Sequence, residues 1–107
     1  MPPSSRKPRA ERRADARQAT KDIRERERLA RLEVGGAPDR PIEVVSASLV
    51  EPKARAIACP VCGAAVRVED HTAKTLDGAP LRLAHTLCPR CGHARIVYFS
   101  IRPPLPN

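Results

Sequence analysis

Aromatic side chains are nearly missing: the 107 residues hold one tyrosine, one phenylalanine and no tryptophan. A core built on large rings is therefore excluded, and Tyr98 and Phe99 are left as the only platforms on which a nucleic-acid base could stack. No apolar run approaches the ~20 residues that a membrane-spanning helix needs. The opening stretch "MPPSSRKPRAERR" leads into charged residues instead of the apolar centre of a secretory signal, so the expectation is a cytoplasmic protein with no membrane association. Large apolar side chains are sparse even between Ile42 and Ile101, where most of them lie. A domain of about 60 residues buries only about 60% of its unfolded-chain surface, so a fold this small is expected to need a disulfide, a metal or a partner.

Positive charge, by contrast, is abundant. The net formal charge is +8 and the pI about 10.2. Residues 1–34 carry eleven of the twenty Lys and Arg against six acidic side chains, a net +5. Four cysteine thiolates around one divalent cation would carry −2, which lowers the remaining +3 of the chain to about +1. An anionic partner is therefore to be sought first at the N-terminal segment. Arg6, Lys7, Arg9, Arg12, Arg13, Arg17 and Lys21 are the candidate nucleic-acid contacts there, with Arg24 beyond them. Acidic residues interleave from Glu11 onward, which is also the pattern of a solvated helix face.

The punctuation of the chain divides it in three: a charged helical segment over 1–34, a Gly/Pro linker over 35–41, and a domain over 42–107. Residues 8–33 are rich in Ala, Arg, Glu and Leu, with a proline at the first turn and two glycines as a stop, so a helix is predicted. Asp22 with Arg26 and Glu27 with Arg31 are its expected i,i+4 pairs. Ala16, Ala19, Ile23, Leu29 and Ala30 form only a broken apolar stripe, and Arg26 stands where a heptad would want a hydrophobe. The stretch "IEVVSASLVEPKARAIA" reads as β-prone, with a fourth strand over 42–51 and Pro52 at a bend or edge. "AAVRVED" and "LRLAHTL" alternate as strands, the second presenting Leu81, Leu83, His85 and Leu87 on one face. Residues 71–80 are expected as the loop of a long hairpin, and "ARIVYFSI" as a third strand with Tyr98 and Phe99 on opposite faces.

Four cysteines form two Cys-x-x-Cys pairs, in knuckles at 59–63 and 88–92. Pro60 and Pro89 preset φ, and Gly63 and Gly92 tolerate the left-handed conformation that closes each turn, so both sulfurs of a pair can face one ion. In a reducing compartment such pairs read as metal ligands before disulfides. A covalent haem site would need histidine directly after the second cysteine, and Gly92 intervenes before His93. A dithiol redox centre would be expected within a βαβ pattern, which neither pair has. His93 is either a surface residue or a hydrogen-bond partner of a ligand sulfur, and His85 a capped core histidine.

The stretch "ACPVCGAAVRVEDHTAKTLDGAPLRLAHTLCPRCGHARIVYFS" resembles the zinc ribbon, in which two CPxCG knuckles cap a small antiparallel sheet. The resemblance covers roughly residues 54–101. It implies a small metal-stabilised β fold of three antiparallel strands, to which the residues outside the resemblance are expected to add the strand at 42–51 and, before it, the charged helix. It also implies one structural Zn²⁺ on Cys59, Cys62, Cys88 and Cys91. Rubredoxins share such knuckles but hold iron within an aromatic core, which makes an iron electron carrier the further alternative. The hairpin is similar to that of transcript-cleavage factors, but their tip carries an Asp-Glu pair and this one carries Asp77 alone, with Glu69 and Asp70 at the base. The functional expectation is a non-enzymatic adaptor with a protein partner and no small-molecule substrate. The alternative is a nucleic-acid-binding protein of transcription or translation that makes contact through its N-terminal segment, with Arg67, Arg82, Arg90 and Arg95 as further cations on the ribbon.

Overall fold

The computed structural model describes residues 8–103. Helix α1 spans Arg9–Leu32, so the composition-based expectation of a helix holds to within a residue at each end. Pro8 leads into it with φ of −55°, and its carbonyl accepts from the Arg12 amide at 3.0 Å. At the other end Arg40 Nη1 donates to the Leu32 carbonyl, satisfying one of the acceptors that every helix terminus leaves open. Among the described residues, neither expected i,i+4 ion pair forms. Glu25 pairs with Arg28 one turn along, Gln18 donates to Asp22 at 3.0 Å, and Arg26 and Glu27 reach away from the helix altogether. Every described residue from 8 to 26 is exposed, and Ala30 is the buried residue of the helix. A rod of 24 residues at about 1.5 Å each extends the molecule to 75 × 26 × 22 Å.

Past α1 the chain turns at Gly35, whose carbonyl accepts from the Tyr98 amide at 2.8 Å. Strand β1, Ile42–Val44, continues along the same edge. The remaining strands are β2 (Arg67–Leu76), β3 (Ala79–Leu87) and β4 (Ala94–Ile101), and the sheet order is β1-β4-β3-β2. β2, β3 and β4 pair antiparallel, as expected. The fourth strand does not: β1 runs parallel to β4, in register Ile42↔Phe99, so the sheet is mixed. The direction follows from the path of the chain, which leaves α1 beside the middle of β4 and can only run on alongside it.

The fourth strand is also shorter than expected, because residues 47–55 are helical. Ser46 Oγ accepts from the Ser48 amide at 3.1 Å, starting a 3-10 turn over Ala47–Leu49 that passes into α2, Val50–Arg55. Pro52 lies in the first turn of α2, where its missing N–H leaves no gap in the hydrogen-bond ladder. Val50 and Ala54, four residues apart and fully buried, are the face that makes helix the better solution.

The expected loop over 71–80 is mostly strand. β2 and β3 stay paired out to Leu76↔Ala79, and only Asp77 and Gly78 turn, with φ of 50° and 79°. This is the two-residue Asp-Gly turn that matches strand twist. His71 accordingly sits within β2, opposite Ala84, instead of opening a loop. The core cluster is Val44, Val50, Ala54, Ala84, Val97 and Phe99, where α2 packs on the sheet. Leu81 and Leu83 are buried as expected, but they stand outside that cluster, and from β3 it is Ala84 that joins it. Phe99 is wholly buried and Tyr98 half-buried, consistent with their opposite directions along β4.

Candidate metal centre

The two knuckles fold by the same hydrogen bonds. The Cys59 amide donates to the Ala64 carbonyl at 2.9 Å, and Gly63 donates back to the Cys59 carbonyl at 2.8 Å. In the second, Cys88 donates to His93 at 2.9 Å and Gly92 to Cys88 at 2.8 Å. Gly63 and Gly92 have φ of 77° and 79°, the left-handed conformation that the sequence pattern predicts. Each knuckle is held from outside by regular structure: the first follows α2, while the second lies between the end of β3 and the start of β4.

The four sulfurs converge. Cys59 Sγ lies 3.6 Å from Cys91 Sγ, Cys62 Sγ lies 3.4 Å from Cys88 Sγ, and all four are within 4.8 Å of one another. A disulfide would need about 2.05 Å, and all four cysteines are free. A tetrahedron of sulfurs about 2.3 Å from a central ion has edges of about 3.8 Å, which lies within the range observed. Four soft thiolate donors in this arrangement suit zinc or iron. Cys59 and Cys88 are buried, Cys62 is half-buried and Cys91 is exposed, so the cluster lies under one edge of the surface.

The local electrostatics distinguish the cysteines. Backbone amides, chiefly that of Cys91 and also that of Arg90, donate to the Cys88 sulfur and hold its thiol down to about 6 against the opposing effect of burial. At Cys91 the His93 amide also lowers the pKa, but burial and the three neighbouring sulfurs outweigh it and push the thiol up to about 12. One thiolate in the cluster is thus favoured first, and the crowding of sulfur around it makes further ionisation costly unless a cation shares the site. Arg95 is half-buried beside the cluster. Burial draws its pKa down, while Glu33 and Cys59 draw it back up.

Helix α1 touches both knuckles. Arg26 Nη1 donates to the carbonyl of Val61, between Cys59 and Cys62, at 2.6 Å, and Glu27 Oε1 lies 3.6 Å from Nδ1 of His93. The roles of these two residues are what the sequence reading missed, and Arg95, expected as a cation on the ribbon surface, is half-buried beside the cluster instead. The available signal was Arg26 itself, a cation where an apolar residue was expected. A cleft of about 420 Å³ lies where α1 meets the sheet, lined in part by Glu27, Arg31, His85, His93, Arg95 and Tyr98. His85 Nε2 is 3.1 Å from Thr72 Oγ1, a polar cap within the sheet. His71 lies away from the knuckles, with Nδ1 3.9 Å from Glu51 and Nε2 buried with no hydrogen-bond partner among the described residues.

The candidate nucleic-acid contacts are not brought to this centre. Arg9, Arg12, Arg13, Arg17 and Lys21 are exposed on α1, and Arg6 and Lys7 lie outside the described residues. On the sheet, Arg67 is engaged with Glu69 at 2.7 Å. Among the described residues, no helix is long and apolar enough to cross a membrane. No family model, curated protein or solved structure matches the chain.

Proposed function

We propose that the chain is a non-enzymatic zinc-ribbon adaptor, in which one structural Zn²⁺ on Cys59, Cys62, Cys88 and Cys91 fixes the sheet and the sheet holds α1 out towards a partner. The convergence of four free thiols from two identically bonded knuckles carries this reading. A bound zinc would contribute on the order of 10 kcal/mol to folding, which a fold with this little buried apolar surface needs. Four sulfur ligands complete a tetrahedral shell and leave no position for water or substrate, which supports a structural role over a catalytic one. The residues of the chain do the rest. The Cys91, Arg90 and His93 amides stabilise thiolate charge, and Arg26 and Glu27 fasten α1 to the two knuckles.

The test is metal analysis of the full chain together with a Cys88→Ser variant. One zinc per chain is expected, with cobalt substitution giving thiolate charge-transfer and tetrahedral ligand-field bands. Cys88→Ser and chelator-treated protein should lose the sheet signal in circular dichroism. A variant that kept its native spectrum and thermal midpoint without metal would remove the structural role. Iron that cycles reversibly between oxidation states would move the protein to the electron-carrier reading. The charge arrangement on α1 favours the nucleic-acid form of the adaptor role over the protein-binding form.

A further inference from the structure

In α1, Arg9, Arg13, Arg17, Lys21 and Arg24 follow one another at steps of four, four, four and three residues. At about 100° per residue these steps keep all five within one side of the rod, and Arg28 and Arg31 prolong the row. Arg12, three residues from Arg9, falls outside it. Of the acidic residues of α1, Glu11, Asp15 and Asp22 gather on the opposite side, Glu25 flanks the row beside Arg28, and Glu27 is turned to His93. The side that docks against the knuckles, marked by Arg26, Glu27 and Ala30, lies roughly a third of a turn from the centre of the basic row. The row is therefore left open to solvent by the way the helix is attached. Among the described residues, none of its first five cations makes an ion pair, whereas Arg28 is held by Glu25.

We infer that this basic face of α1 binds the phosphate backbone of a nucleic-acid duplex, without reading base sequence. The inference rests on the reading of α1 as an arm held out by the metal-bound sheet. Five cations about 6 Å apart extend over about 22 Å, roughly two thirds of one turn of a duplex. A straight, rigid row suits a straight, rigid polyanion. α1 contains no aromatic residue, so it has nothing on which the bases of a single strand could stack. Its one amide side chain, Gln18, is turned to Asp22 at 3.0 Å. An amphipathic helix for a lipid surface would carry large apolar residues opposite its cations, and here that side is acidic.

The experiment is fluorescence anisotropy of the zinc-loaded full chain with 20-base-pair duplexes of scrambled sequence, one DNA and one RNA, between 50 and 200 mM salt. With five phosphates neutralised, log K should fall against log salt with a slope of about −4.5. The triple variant R13Q/R17Q/K21Q should weaken binding on the order of 100-fold at 100 mM salt and reduce the slope by about 2.7, while K53Q, an exposed cation on α2 away from the row, should change affinity less than about twofold. The DNA and RNA arms decide which backbone is preferred, and tight binding to either supports the proposal. Equal losses in K53Q and in single substitutions R13Q, R17Q and K21Q would overturn it in favour of undirected net charge. So would absence of duplex binding at 50 mM salt, or tighter binding to phosphatidylglycerol vesicles or to polyglutamate. Zinc content and circular dichroism are read on the same samples. A folded, zinc-bound chain that ignores duplexes overturns this proposal and leaves the adaptor reading standing, whereas a zinc-free chain that binds them does the reverse.

Discussion

Replacing Gly92 by alanine isolates what a knuckle demands of its backbone. Gly92 has φ of 79°, and a Cβ built there meets nothing within 4 Å, so no side chain or backbone atom would have to give way. The entire cost is then the left-handed conformation itself, about 1–2 kcal/mol for an L-residue. Because zinc binding and folding are coupled, that strain is measured as weaker metal binding, and 1–2 kcal/mol corresponds to about 5–30-fold in affinity. Gly92→Asn should cost less, since asparagine enters this region more readily. Competition against a chromophoric chelator, with the thermal midpoint of the zinc form as a second measure, reads both variants. Unchanged affinity in Gly92→Ala would mean that the turn does not require positive φ. A loss beyond about a thousandfold would mean that bulk, and not backbone conformation, is what the site rejects. Gly63, with φ of 77° and equally open space, should behave the same way within a factor of two or three.

Arg26→Ala removes the bond to Val61 but no ligand, so zinc stoichiometry should be unchanged while α1 loses one of its two fastenings to the knuckles; small-angle scattering should show a broader distribution of long distances, and an identical profile would refute the fastening. Zinc affinity should fall as pH falls, because every ligand must lose its proton. The low value of Cys88, about 6 against 9.0, belongs to the folded knuckle, so a chain that is unfolded without zinc gains nothing from it and releases the Cys88 proton on binding at pH 5 and at pH 7.5 alike. Calorimetry in buffers of different ionisation heat counts the protons released: an equal count at pH 5 and pH 7.5 is expected of a chain that folds on zinc, and a count lower by about one at pH 7.5 would mean that the second knuckle is already folded without metal. In a knuckle folded without metal, the depressed Cys88 would contribute stability that is complete above the unfolded value and lost as pH falls through about 6.

The local signals in the sequence were strongest where covalent geometry leaves little choice. Pro and Gly within each Cys-x-x-Cys fix a turn whose sulfurs converge, and the long Ala/Arg/Glu run has no competing use as a strand. Failures came where tertiary packing outvoted propensity. "VSASLV" has the composition of a strand, but Ser46 caps a helical turn and Val50 and Ala54 can both be buried only if the backbone is helical. The hairpin was misread because His71 to Leu76 contains Thr, Ala and Lys with little alternation. Pairing with β3 holds it extended regardless, and the Asp-Gly pair needs only two residues to turn. The direction of β1 is not written in its three residues at all. It is set by where α1 ends and by the bond from Tyr98 to Gly35.

These placements bear on how so little apolar surface can position a rod of 24 residues. α1 buries one alanine, so hydrophobic packing cannot fix its direction. What remains is Arg26 on the first knuckle and Glu27 on the second, adjacent residues gripping two loops whose relative position depends on the four sulfurs they share. An exposed hydrogen bond and a 3.6 Å contact between a carboxylate and an imidazole are each weak, about 1 kcal/mol or less, so the direction of the arm is only as well defined as the knuckles that receive them. A metal that locks the knuckles would therefore act on two levels, closing the sheet at one end and setting the line along which the basic face of α1 is offered.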